Sequence, residues 1–189
     1  MSPVDLAAVM RLEGWTNDRL VKLRQNRLPQ NQWVFGRPNA SVIMAAFLHA
    51  APNGQRFSSG ALGAWYASDS EQAAIAEVGH HLRREAVNTG IPRMIQTYRT
   101  YRARLVGQYV DIRRQNDKRY RRDDYAAGQA FGESCRRSGE DGILYDSLRL
   151  RGGTNVVAYH PPNIQGGIQV AHYELTVPVS GRLTVRRLS

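Results

Sequence analysis

Apolar residues recur along this chain in short blocks, some at helical spacing and some alternating, with glycine and proline between them. Ser2 and Pro3 can cap and open a short helix that carries Leu6, Val9 and Met10, has Asp5 at its positive end and stops at Gly14. Residues 15–39 show little period and are interrupted by Pro29, Asn31, Gly36, Pro38 and Asn39, which predicts irregular chain with one short strand at residues 33–35. Ser41 is the expected cap of an apolar helix reaching about His49, and Ala51-Pro52-Asn53-Gly54 reads as a turn. The piece Ala64-Trp65-Tyr66-Ala67 predicts a strand. Ser68, Asp69 or Ser70 then supplies the cap of a helix of about four turns, because Ala74, Ile75, Val78 and Leu82 follow helical spacing.

Beyond Pro92, residues 93–105 alternate Ile95, Thr97, Tyr101 and Leu105 with other side chains, as a strand does, and residues 109–112 predict another short one. Asp123 or Asp124 is placed to begin a helix through Ala130, Phe131 and Cys135, with Gly139 as its stop. Asp141-Gly142 turns into a strand at residues 143–145. After Gly152-Gly153 comes a buried strand at residues 156–159, then a His160-Pro-Pro-Asn loop. Strand-like segments at residues 170–177 and 183–185 close the chain, with Gly181 between them. Helices and strands are mixed without regular alternation or internal repeat, so the predicted class is α+β.

A length of 189 residues suits one domain, expected to consist of a core at residues 51–189 with residues 1–50 packed on it as an N-terminal extension. The longest uninterrupted apolar run, residues 42–48, falls far short of the ~18–20 residues that cross a bilayer, and no membrane association is expected. The opening Met-Ser-Pro-Val-Asp has neither a basic start nor an apolar stretch, so no secretory signal is expected and the location predicted is cytoplasmic. Cys135, the single cysteine, excludes an intrachain disulfide and a cysteine-based metal cluster. Net charge is +10, and all but two of the 26 basic side chains are arginines, planar forks suited to phosphate and carboxylate.

Several common chemistries are absent from the pattern. There is no GxxxxGK[ST] loop, no GxGxxG, no GxSxG elbow and no HExxH. Glu77, His80 and His81 form a lone Glu-x-x-His-His, whereas a di-iron bundle needs that pattern twice with further carboxylates, so no metal is expected. The basic run at residues 113–122, with Tyr109 and Tyr120 nearby, has the ingredients of nucleic-acid binding, but without a recognised binding motif the preferred reading is a solvated loop. One ordered set stands out: Arg56 opening a Ser- and Gly-rich segment, Tyr66, Glu77 on the next helix, and Ser147 directly after the strand of Asp141-Gly-Ile-Leu-Tyr-Asp-Ser147. Each sits near the end of a regular element, where side chains can converge on one pocket. Asn155, after Gly152-Gly153, is a weaker addition.

That set resembles the RES-domain family, named for Arg, Glu and Ser. The matching positions are Arg56, Tyr66 in Trp-Tyr-Ala-Ser, Glu77 in Ala-Ile-Ala-Glu-Val and Ser147 in Gly-Ile-Leu-Tyr-Asp-Ser, over residues 56–160 with a weaker match in residues 173–188. The resemblance implies a toxin of a bacterial toxin–antitoxin pair, paired with a cognate Xre-type helix-turn-helix antitoxin. It implies a mixed, mainly antiparallel sheet core similar to ADP-ribosyltransferase toxins, flanked by short helices. It also implies NAD⁺ as substrate, cleaved between nicotinamide and ribose by hydrolysis or phosphorolysis, with water or inorganic phosphate as acceptor. The alternative is a protein ADP-ribosyltransferase acting on a target protein, and a second alternative is a non-catalytic basic module that binds nucleic acid or a partner. On this resemblance Glu77 stabilises charge on the ribose or holds a ribose hydroxyl, Arg56 clamps the pyrophosphate, Tyr66 stacks on or hydrogen-bonds the ligand, and Ser147 hydrogen-bonds it, with Asn155 as a further, weaker candidate for contact.

Overall fold

The computed structural model describes residues 26–115, 117, 120 and 124–189. The expected helix at residues 2–14 and half of the basic run at residues 113–122 (residues 116, 118, 119, 121 and 122) lie outside the described residues. The described residues include the α-helices α1 (Ala40–Leu48), α2 (Glu71–Thr89) and α3 (Ala126–Arg137). The strands are β1 (Trp65–Ser68), β2 (Arg93–Leu105), β3 (Tyr109–Asp111), β4 (Gly142–Asp146), β5 (Thr154–Ala158), β6 (Ile164–Pro178) and β7 (Thr184–Arg187). They form a four-stranded sheet of order β1-β5-β4-β3 and a three-stranded sheet of order β2-β6-β7. β3 and β4 pair in parallel, Val110 opposite Ile143, and the chain between them contains α3, the crossover that a parallel pair requires. β6 and β7 pair antiparallel, Leu175 opposite Val185. The fold is α+β. Among the described residues no helix is long and apolar enough to cross a membrane.

The chain divides into two compact units. The first comprises the described residues up to Tyr66, those of Ala103–Tyr145, and Val156–Gly167. In it, α1 buries Ala40, Ile43, Met44, Phe47 and Leu48, the stripe that helical spacing puts on one side, against Leu28, Val34, Leu62 and Ile164. Residues of the expected extension therefore supply much of this cluster. The helix starts at Ala40 and not behind a Ser41 cap: Asn39 takes the left-handed conformation at φ 56° and spends its side chain on the Gly167 carbonyl, 2.8 Å away. No strand forms at residues 33–35. Val34 is buried, its N–H directed at the Met44 sulfur at 3.3 Å, and the Trp33 indole N–H donates to the Leu28 carbonyl, so packing on α1 replaces a strand ladder.

A second cluster of this unit joins Phe57, Ala64, Cys135, Ile143, Val157 and Tyr159. Its helix, α3, begins one residue later than an Asp124 cap would place it. Tyr125 precedes it at φ 57°, and the Gln129 N–H already donates to the Tyr125 carbonyl at 2.8 Å; Asp123 is outside the described residues. Burial, acting against the favourable charge of Arg136, pushes the Tyr159 hydroxyl above its ordinary range. Burial and the Asp141 carboxylate take Tyr109 up to about 12, and burial takes Tyr66 to about 12 from 10.0. The unfolded chain gives up such protons near pH 10.0 while the folded chain holds them to about 12. Their contribution to stability is thus complete below that window and lost as pH rises through it. Thermal unfolding midpoints are expected to fall steeply above about pH 10; a midpoint constant up to about pH 11.5 would contradict this.

The second unit comprises Ala67–Arg102, Asp146–Asn155 and Ile168–Ser189. Ser70 caps α2, its Oγ accepting from the Ala73 N–H at 3.2 Å, and Gly90 ends the helix at φ 70°, where a left-handed residue closes the last turn. The apolar stripe of α2 (Ile75, Val78, Leu82) meets Ala171, Tyr173, Leu175 and Val177, the inward positions of an alternating β6. Gly79 admits Leu183, whose Cδ2 would lie 2.7 Å from a Cβ at that position.

Candidate functional site

Three of the residues singled out from sequence meet in the second unit. Glu77 stands in the second turn of α2, Ser147 directly follows β4, and Asn155 is the second residue of β5. The Ser147 hydroxyl and the Asn155 amide Nδ2 both donate to Glu77 Oε1, each at 2.7 Å. Ser147 is 8% and Asn155 3% exposed, so both bonds are shielded from water.

The chain around this group shapes itself for the purpose. The Ser147 Oγ accepts from the backbone N–H groups of Arg149 and Leu150, each at 3.1 Å, and the Ser147 N–H donates to the Gly153 carbonyl at 2.9 Å. A tight loop results, completed by Gly152 at φ 81°, which a residue without a Cβ adopts without cost. The Ser147 hydroxyl has one proton and two lone pairs, and its bonds to Glu77, Arg149 and Leu150 use them all. Asp69 ties the end of β1 to β5: its N–H donates to the Thr154 carbonyl at 2.9 Å and its carboxylate accepts from the Thr154 N–H at 3.0 Å. That brings Ser68 beside Asn155, where its hydroxyl donates to Oδ1 at 2.7 Å. From sequence Ser68 is only one of three alternative helix caps, and nothing local pairs it with a residue 87 positions away.

Arg56 and Tyr66 belong to the first unit. The Arg56 guanidinium donates to the Tyr120 carbonyl at 2.6 Å and lies 4.7 Å from the centre of the Tyr125 ring. The Tyr66 hydroxyl oxygen accepts from the Phe57 N–H at 2.9 Å and is bonded to the Ser58 hydroxyl at 3.1 Å. Tyr66 therefore holds the backbone that follows Arg56.

Helix α3 fastens the same segment by groups that sequence reading passed over. Glu133 accepts from the Ser59 N–H at 2.8 Å, and Arg136 donates to the carbonyls of Leu62 and Gly63 at 3.3 and 2.7 Å. Gly128 and Gly132 lie so close to the segment that a Cβ on them would come within 2.4 Å of the Arg56 carbonyl and 2.1 Å of the Phe57 carbonyl. The available signal was Gly-x-x-x-Gly on a helix with Glu133 and Arg136 three apart, a spacing that shares one face.

His80 and His81 pack edge to face, their ring centres 5.6 Å apart. Among the described residues no group of three or more His, Cys, Asp or Glu side chains is arranged to hold a metal ion. No curated protein matches the sequence. A family model does, that of the RES domain, over residues 25–178, which takes in all five candidate residues and extends past the 56–160 stretch on which the sequence resemblance rested. With a match over most of its length, this chain belongs to the RES-domain family.

Proposed function

We propose that this RES-domain protein is the toxin of a bacterial toxin–antitoxin pair and that it consumes NAD⁺ by cleaving the nicotinamide–ribose bond. The observation that carries the reading is the Glu77 carboxylate, fixed by two neutral donors at 2.7 Å. In the cleavage the C–N electron pair leaves with nicotinamide, which departs neutral and needs no strong general acid. Positive charge develops on the ribose, spread over its ring oxygen and anomeric carbon. A carboxylate held in advance stabilises that charge without having to reorganise. Water then adds to give ADP-ribose and a proton, or inorganic phosphate adds to give a phosphorylated ADP-ribose.

Arg56 and Tyr66 enter this reading through the family resemblance, Arg56 as the partner of the pyrophosphate. A clamp on a group remote from the reacting bond binds substrate and transition state alike, so Arg56→Ala is expected to raise the KM for NAD⁺ about tenfold or more with kcat changed little. Arg56→Lys should rescue poorly, because a point charge does not replace a planar fork. The cognate Xre-type antitoxin is proposed to hold the toxin inactive.

The test is incubation of purified protein with NAD⁺, with and without inorganic phosphate and with candidate acceptor proteins, followed by nicotinamide and product analysis. Nicotinamide release with ADP-ribose or its phosphate supports the reading, and label carried onto protein would replace it with ADP-ribosyl transfer. Undiminished NAD⁺ under every acceptor condition would overturn it.

A further inference from the structure

We infer that Ser68 is a positioning residue for Glu77, acting through Asn155, and that Ser147 belongs to the same holding network and not to the ligand contacts. This rests on the proposed NAD⁺ cleavage and names which groups of the site are held and which one works.

The argument turns on the asymmetry of an amide. Asn155 presents Nδ2 to Glu77 Oε1 and Oδ1 to the Ser68 hydroxyl, each at 2.7 Å. Turned over, the amide would set its oxygen against a carboxylate oxygen at that separation, two acceptors with no proton between them. With a proton donor at Ser68 the correct orientation satisfies both ends of a side chain that is only 3% exposed. Without that donor Oδ1 is left unpaired in a dry setting, and the force holding the amide plane is halved. Ser147 holds the same carboxylate oxygen from the other side with its only proton, its lone pairs being occupied by Arg149 and Leu150 N–H. Oε1 is thereby filled, and the network assigns the electrostatic work to Oε2.

Kinetics of NAD⁺ cleavage by the full chain decide this. Ser68→Ala is expected to lower kcat roughly 3–10-fold with KM unchanged, and Ser68→Thr, which keeps the hydroxyl, to restore most of it. Asn155→Ala should lower kcat further, and Ser68→Ala added to Asn155→Ala should have no additional effect, because Ser68 acts only through the amide. Asn155→Asp keeps the volume but opposes two carboxylates, and a loss of about 100-fold or more is expected. Circular dichroism and unfolding midpoints on each variant separate misfolding from misplacement. A Ser68→Ala enzyme with full kcat, a loss that falls on KM, or additive losses in the double variant would overturn the assignment. Failure of the wild-type protein to release nicotinamide would instead overturn the proposed function, so the two failures are distinguishable.

Discussion

Glu77→Gln is expected to lower the turnover of NAD⁺ about 10²–10³-fold while leaving KM within about threefold. The substitution is close to isosteric. A glutamine oxygen in place of Oε1 still accepts from Ser147 and Asn155, so the two 2.7 Å bonds survive and the change removes charge alone. A carboxylate that only braces Ser147 and Asn155 would tolerate it with activity intact. One that stabilises a developing cation would not, since an uncharged amide gives that cation far less stabilisation than a fixed negative charge does. Glu77→Ala is a blunter probe, because it also strands two buried donors at about 1–3 kcal/mol each. Initial rates of nicotinamide release for the Gln variant, at saturating and at low NAD⁺, make the measurement. Wild-type turnover would remove Glu77 from the chemistry.

Gly132→Ala should destabilise the protein by about 3 kcal/mol or more and lower its melting temperature by roughly 6–12 °C. Helix propensity predicts the opposite sign, since alanine is favoured over glycine within a helix by about 1 kcal/mol. Geometry reverses it: the added Cβ would lie 2.1 Å from the Phe57 carbonyl oxygen, 2.6 Å from its carbon and 2.7 Å from the Tyr159 hydroxyl. None of these is a free end that can swing away. The Phe57 carbonyl accepts from Tyr159 at 2.9 Å, the Phe57 N–H is bound to Tyr66, and the Tyr159 ring lies 4.7 Å from the Arg136 guanidinium. Relief therefore requires moving α3 or the segment that begins at Arg56. Thermal unfolding of the variant beside the parent settles the sign, and an unchanged or raised midpoint would refute the close approach.

Elements whose cause is local were legible. Ser70 with the Ile75, Val78 and Leu82 stripe announces α2, the alternation of residues 93–105 announces β2, and Gly181 marks the turn before β7. Local rules failed where a distant partner took over. Asn39 gives its side chain to Gly167 and leaves α1 without a side-chain cap, and Tyr125 replaces an aspartate at the head of α3 with its ring beside Arg56. At residues 33–35, which read as a strand, Trp33 and Val34 pack into the cluster built on α1 instead, and Phe35 is exposed. In the candidate site Glu77, Ser147 and Asn155 were each visible as residues, Ser147 through its place after a strand, but their shared oxygen was not. Ser68 was visible only as a possible cap.

What the sequence determined by itself is the α+β class, most element positions and, through an ordered set of Arg56, Tyr66, Glu77 and Ser147, membership of the RES-domain family. These rest on periodicity, caps and motif order, which act over a few residues or read as a linear pattern. The tertiary structure alone decided that Ser147 and Asn155 converge on one oxygen of Glu77, 70 and 78 residues away, that Ser68 stands behind Asn155, and that two glycines of α3 admit the Arg56–Phe57 backbone. Such pairings come from how sheets and helices pack, and a hydrogen bond across so many residues leaves no period in the chain that forms it.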